Sequence, residues 1–113
     1  MIVDTHAHMG KLPILSPKVW MTPERLVETA DRLGIEKMCV SSLKALTYDF
    51  YEGNQDVVEA MKRYPGRILG YVVVNPRFGA EAVEEEDGFT TLIWPISCSM
   101  TKSCGRIGTL VMC

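Results

Sequence analysis

The sequence predicts an α/β fold made of parallel βα units, three to four of them, forming part of a (β/α)8 TIM barrel. Three observations predict it. Short continuous apolar runs recur at Ile2-Val3, Met38-Cys39-Val40 and Ile68 to Val74, and each ends in polar residues: Asp4-Thr5-His6, Ser41-Ser42 and Asn75-Pro76. Unbroken apolar runs, as opposed to strict alternation, suit strands covered on both faces, so they read as parallel. Amphipathic helices lie between the runs. Their stripes, Leu26-Val27-Ala30-Leu33 and Val57-Val58-Met61-Tyr64, share one internal spacing about thirty residues apart, close to one βα unit when ~250 residues are divided among eight.

The elements follow in order along the chain. Ile2 and Val3 open the first strand. The stretch from Met9 to Met21 is long for a βα connection and carries Leu12, Ile14, Leu15 and Trp20; such apolar content is costly to expose, so it is expected to cover a pocket wall or the sheet end. Thr22 caps the next helix, with Pro23 at its first position, Glu24 favourable to its dipole and Gly34 as its stop. After the second strand comes a loop with Tyr48, Asp49, Phe50, Tyr51 and Glu52, whose aromatic residues offer a second wall. The second helix is expected to begin near Asn54 and to end at Pro65-Gly66. A third is expected over Ala80 to Asp87. Its run Glu84-Glu85-Glu86-Asp87 puts like charges in the last turn, where the dipole disfavours them, so that turn should fray.

Composition narrows the function. At 113 residues the chain has room for one domain, and nearly half of it is apolar. A net charge of −2 gives no basic footprint for nucleic acid or anionic membrane. Small-molecule chemistry is the better starting point. No leader-like segment opens the chain and no apolar run approaches ~18 residues, so no membrane span is expected and a cytoplasmic location is the default. Cys39 stands alone while Cys98, Cys104 and Cys113 crowd the end, none of them in C-x-x-C spacing. Unpaired thiols are the favoured reading over a thiolate zinc site.

The residues that carry chemistry are His6 and His8, the two histidines of the chain. In an extended strand, positions i and i+2 share a face, so Asp4, His6 and His8 are expected on one side at the end of the first strand. Two neutral imidazoles so placed can meet one cation with little entropy to lose. Asp4, Asp49 or Glu52 would have to supply any carboxylate beside them. The bland alternative, two histidines capping a strand end through hydrogen bonds, is the commoner meaning of an isolated H-x-H.

MIVDTHAHMG, followed by GNQDVVEAMKRYPGRILGYVVVNP, resembles the amino-terminal part of the amidohydrolase-related TIM-barrel family. That family includes metal-dependent hydrolases and decarboxylases similar to aminocarboxymuconate-semialdehyde decarboxylase. The resemblance covers roughly residues 1–87 and rests on the D-x-H-x-H strand, the Asn-then-helix, the Pro-Gly-Arg turn and the strand running into Asn-Pro. It implies that His6 and His8 are the first two ligands of a divalent metal, with zinc the first choice, and that the substrate is a small carbonyl- or carboxylate-bearing compound. Family members complete the site with a histidine from a middle strand and an aspartate from the last, and often use a further histidine as proton shuttle. None of those positions exists in this chain. A lysine usual in the fourth strand is also missing, since the chain reads Gly88-Phe89-Thr90-Thr91-Leu92-Ile93-Trp94-Pro95.

Every acidic residue lies at or before Asp87; residues 88–113 hold none, only Lys102 and Arg106 as charges. So sharp a break divides the chain into residues 1–87, the barrel-like part, and 88–113, an atypical tail expected to be frame-shifted or disordered. The sequence is therefore read as an amino-terminal fragment of an amidohydrolase-like hydrolase or decarboxylase, inactive as this chain. The alternative is a non-enzymatic α/β module that self-associates, or binds a complementing chain, through open sheet edges.

Overall fold

The computed structural model describes residues 1–11, 20–89 and 94–95. The chain is mixed α/β with a mostly parallel sheet. Its strands are β1 (Val3–Lys11), β2 (Trp20–Met21), β3 (Lys37–Ser42), β4 (Ile68–Val72) and β5 (Trp94–Pro95); its helices are α1 (Pro23–Leu33), α2 (Leu43–Thr47), α3 (Phe50–Arg63) and α4 (Ala80–Phe89). The spatial order is β2-β1-β3-β4-β5. The β1–β3, β3–β4 and β4–β5 pairs are parallel, whereas two-residue β2 pairs antiparallel with the far end of β1.

That antiparallel strand corrects the purely parallel expectation. β1 does not stop at His8: it continues through Lys11 into the segment expected to be loop, and Gly10 and Lys11 pair with Met21 and Trp20. Lys11 Nζ sits 4.3 Å above the Trp20 ring, so a cation–π contact accompanies the pairing. Residues 12–19, which hold the rest of the expected wall, lie outside the described residues.

The helix caps explain the boundaries. Thr22 Oγ1 accepts from Arg25 N at 3.3 Å, and Gly34 closes α1 in the left-handed region at φ 71°, as Thr22, Pro23 and Gly34 predict. Ser42 is at once the last residue of β3 and the cap of α2, its hydroxyl accepting from Ala45 N at 3.4 Å. Asp49 caps α3 by accepting from Glu52 N at 2.9 Å. The helix thus begins at Phe50, not near Asn54. Asn54 is instead wholly buried inside α3, where its amide accepts from Val73 N at 2.9 Å and donates to Val73 O at 2.8 Å. One side chain thereby satisfies both main-chain groups of a residue just past β4, where the sheet ladder has ended.

Gly53 explains the tight α2–α3 crossing. A Cβ there would fall 2.3 Å from the Ala45 backbone nitrogen, so only glycine lets the two helices approach this closely. Lys44 on α2 bridges to Glu52 at 2.9 Å and Asp56 at 3.4 Å on α3.

The core lies on one face of the sheet. Met38 and Val40 of β3, Ile68 and Val72 of β4, and Ala7 and Met9 of β1 pack against Leu26, Val27 and Ala30 of α1 and Val57, Val58, Ala60, Met61 and Tyr64 of α3. Leu33, the fourth residue of the expected α1 stripe, is exposed. By strand alternation the opposite face carries His6, His8, Cys39, Ser41, Leu69 and Tyr71. This face is the more open one: Leu69 is 39% exposed where its neighbour Ile68 is 1%.

α4 covers the span expected from Ala80 to Asp87, and its backbone runs on through Phe89. Most of the expected tail, with Cys98, Cys104 and Cys113, lies outside the described residues. Among the described residues no helix is long and apolar enough to cross a membrane.

Candidate metal centre

His6 and His8 stand on the open face of β1, level with the last residues of β3. His8 is paired with Ser41 in the β1–β3 register, and Met9 with Ser42. Between Asp4↔Met38 and Ala7↔Val40 the register slips, three steps on β1 matching two on β3. Such a bulge re-aims the side chains beyond it. It corrects the expectation that Asp4 shares a face with the histidines: Asp4 is in register with Met38, whose side chain lies on the helix-covered face, and its Oδ1 accepts the His6 main-chain N–H at 3.0 Å. Asp4 holds the bulge and does not converge on the pair.

The two imidazoles approach through their Nε2 atoms at 3.0 Å, with ring centroids 4.7 Å apart and planes at 87°. An in-line N–H···N hydrogen bond of that length would set the centroids roughly 5.3 Å apart. The shorter separation means the rings are bent off the N···N line. Two nitrogens bound at ~2.05 Å to one ion stand roughly 2.9 Å apart at a right angle and roughly 3.3 Å apart at a tetrahedral one. The observed distance lies within that span, as it also lies within the range of an N–H···N hydrogen bond, so the spacing of the two nitrogens matches two positions around a divalent ion.

His8 Nδ1 lies 2.7 Å from Ser41 Oγ, and Ser41 is buried. Burial, and secondarily the neighbouring His6, hold the His8 pKa below its ordinary value, which favours the neutral imidazole that a cation needs. Ser41 is the residue that sequence reasoning passed over. It was visible only as the polar end of an apolar run; its pairing with His8 depends on the β1–β3 register, which the bulge sets.

Farther along the same face, Tyr71 reaches across β3 and its hydroxyl donates to Thr5 O at 3.1 Å. Burial, with the Cys39 thiol beside it, pushes the phenol up to about 12, so it stays protonated and a donor. This contact spans β4 to β1 and braces the strand that carries the histidines.

The other carboxylates considered from the sequence are engaged elsewhere. Asp49 caps α3 and Glu52 is held by Lys44. Among the described residues no three His, Cys, Asp or Glu side chains converge. The aromatic wall is also rearranged: Phe50 is buried with Ala45 and Val73, its ring stacked on Tyr51 at 4.3 Å, while Tyr48 is exposed. A depression of 460 Å3 lined by Asp31, Ile35, Lys37 and Arg67 lies at the opposite rim, before β3 and β4. There Arg67 is tied to Asp31 and to the carbonyls of Ile35 and Glu36, which makes that rim structural.

No family model matches the chain, and no curated protein or solved structure matches it.

Proposed function

We propose that this chain is the amino-terminal part of an amidohydrolase-related (β/α)8 barrel, a metal-dependent hydrolase or decarboxylase, in which His6 and His8 supply two ligands to a divalent ion, zinc first. The observation that carries the reading is the approach of the two Nε2 atoms at 3.0 Å, level with the end of a neighbouring parallel strand. Two features of the fold support the barrel. The parallel strands β1, β3, β4 and β5 neighbour one another in chain order, as barrel strands do, without the reversal of a doubly wound sheet. Helices α1 and α3 pack on one face of the sheet, leaving the other to become a barrel interior.

In this reading His6 and His8 bind and orient the ion, Asp4 fixes the bulge that aims His6, and Tyr71 braces β1 from across the sheet. A bound divalent ion supplies Lewis-acid polarisation of a substrate carbonyl or carboxylate oxygen. The missing ligands belong to later strands, which an uninterrupted reading frame beyond Asp87 would encode. Two imidazoles alone give a weak, exposed site, so the chain by itself is inactive.

The test is metal content at equilibrium: zinc bound by the purified protein during dialysis against buffered zinc is compared with that bound by a His6→Ala, His8→Ala double variant. Stoichiometric zinc lost in the variant supports the reading. Equal, negligible zinc in both removes it. The second reading, a non-enzymatic module completed by another chain, is favoured by the edge of β1, which β2 pairs only at Gly10 and Lys11, and by exposed Val3 and Leu69. It requires association without any dependence on the histidines.

A further inference from the structure

Every neutral imidazole carries one hydrogen on one of its two nitrogens. At the His6–His8 contact, one Nε2 must donate and the other accept, so the pair has two hydrogen arrangements. In the first, His6 Nε2–H donates to His8 Nε2, and His8 Nδ1–H donates to Ser41 Oγ. In the second, His8 Nε2–H donates to His6 Nε2, and the Ser41 hydroxyl donates to His8 Nδ1. Only the first leaves the His8 Nε2 lone pair available to a cation. His6 is exposed and exchanges its own hydrogen from Nε2 to Nδ1 through water, with no net proton lost.

We propose that Ser41 is the positioning residue of this pair: its hydroxyl accepts His8 Nδ1–H when Nε2 engages zinc, fixing both the ring plane and the tautomer. The inference rests on the metal-binding reading above and deepens it. Three observations converge. The Nδ1···Oγ distance is 2.7 Å. Ser41 is the register partner of His8 and sits on the buried central strand, so the backbone holds the two in place. Among the described residues Ser41 Oγ has no other hydrogen-bond partner, so its geometry is committed to His8. A hydroxyl suits this position because it both donates and accepts. It matches either arrangement of the free pair and the single arrangement of the loaded one, whereas a main-chain carbonyl could serve only those in which Nδ1 carries the hydrogen.

The experiment compares the full chain with Ser41→Ala and Ser41→Thr, titrating zinc against a chromophoric chelator and reading the His8 side-chain 15N shifts. Loss of a ligand's outer partner costs 10–100-fold in metal affinity in general, so Ser41→Ala should weaken zinc by about that factor, and Ser41→Thr, which keeps the hydroxyl, should stay within about threefold. Loaded His8 should carry its hydrogen on Nδ1. Far-UV circular dichroism establishes that both variants fold, and recovery in Ser41→Thr separates the lost hydrogen bond from lost packing. Zinc bound as tightly by Ser41→Ala as by the parent, or ligated through His8 Nδ1, overturns the role of Ser41 alone. No zinc uptake by the parent chain overturns the metal reading and this inference together.

Discussion

The two faces of the central sheet are built from the same strands and differ in kind. On one, Met38, Val40, Ile68 and Val72 meet two amphipathic helices in a dry core; on the other, one residue along in each strand, stand Cys39, Ser41, Leu69 and Tyr71 beside the histidines. The first face makes the protein fold. The second mixes polar and apolar side chains and is partly open at Leu69 and His6, which is where chemistry can be placed without weakening the core. What separates them is strand alternation, kept in phase on β1 by a bulge that sends Ala7 and Met9 inward and His6 and His8 outward.

The sharpest way to break this comparison is to truncate neighbours on opposite faces. Ile68→Ala should cost about 2–5 kcal/mol, because it leaves a cavity among helices that cannot collapse fully. Leu69→Ala, one residue on, should cost less than about 1 kcal/mol, since its side chain already meets water. Chemical denaturation of both variants measures the difference, and equal costs would erase the distinction between the faces.

Asn54→Ala comes next. It strips both partners from the Val73 main chain and should destabilise by about 2–4 kcal/mol, as unsatisfied buried groups do. Hydrogen exchange at the Val73 amide should quicken more than at Val40, which the sheet ladder protects.

The smallest effect belongs to the open face. The folded-state pKa of His8 lies below the ~6.5 of an unfolded histidine. Between those two values the unfolded chain binds more protons at this site, so His8 makes stability fall as pH drops through ~6.5, until both states are protonated. Thermal melts from pH 7.5 downward should show this decline, and a His8→Gln variant should lose that component. A decline unchanged in the variant would assign it to other groups.

How much was legible beforehand follows the range of each signal. The α1 caps are local, and Thr22, Pro23 and Gly34 announced them directly. The stripe of α3 was equally plain, yet its start was not: Phe50 stands seven residues before Val57 on the same face, but Gly53 and Asn54 fill the turn between them with non-apolar residues, and only Asp49's capping contact shows that the helix begins four residues before Asn54. α2 is five residues, too short for any period to appear. The histidine pair was legible from i, i+2 spacing because both residues lie in extended backbone. Asp4 was misplaced because a single bulged step lies between it and His6, and nothing in the local sequence announces a bulge. Ser41 required long-range register, which only the assembled sheet supplies.

The central claim is that two imidazoles from β1 grip a divalent ion, and X-ray absorption at the zinc edge of the loaded chain tests it most directly. The account predicts at least two imidazole nitrogens at about 2.0–2.1 Å, lost together in the His6→Ala, His8→Ala variant. A first shell of sulfur at about 2.3 Å, retained in that variant, would place the zinc on the cysteines and contradict it.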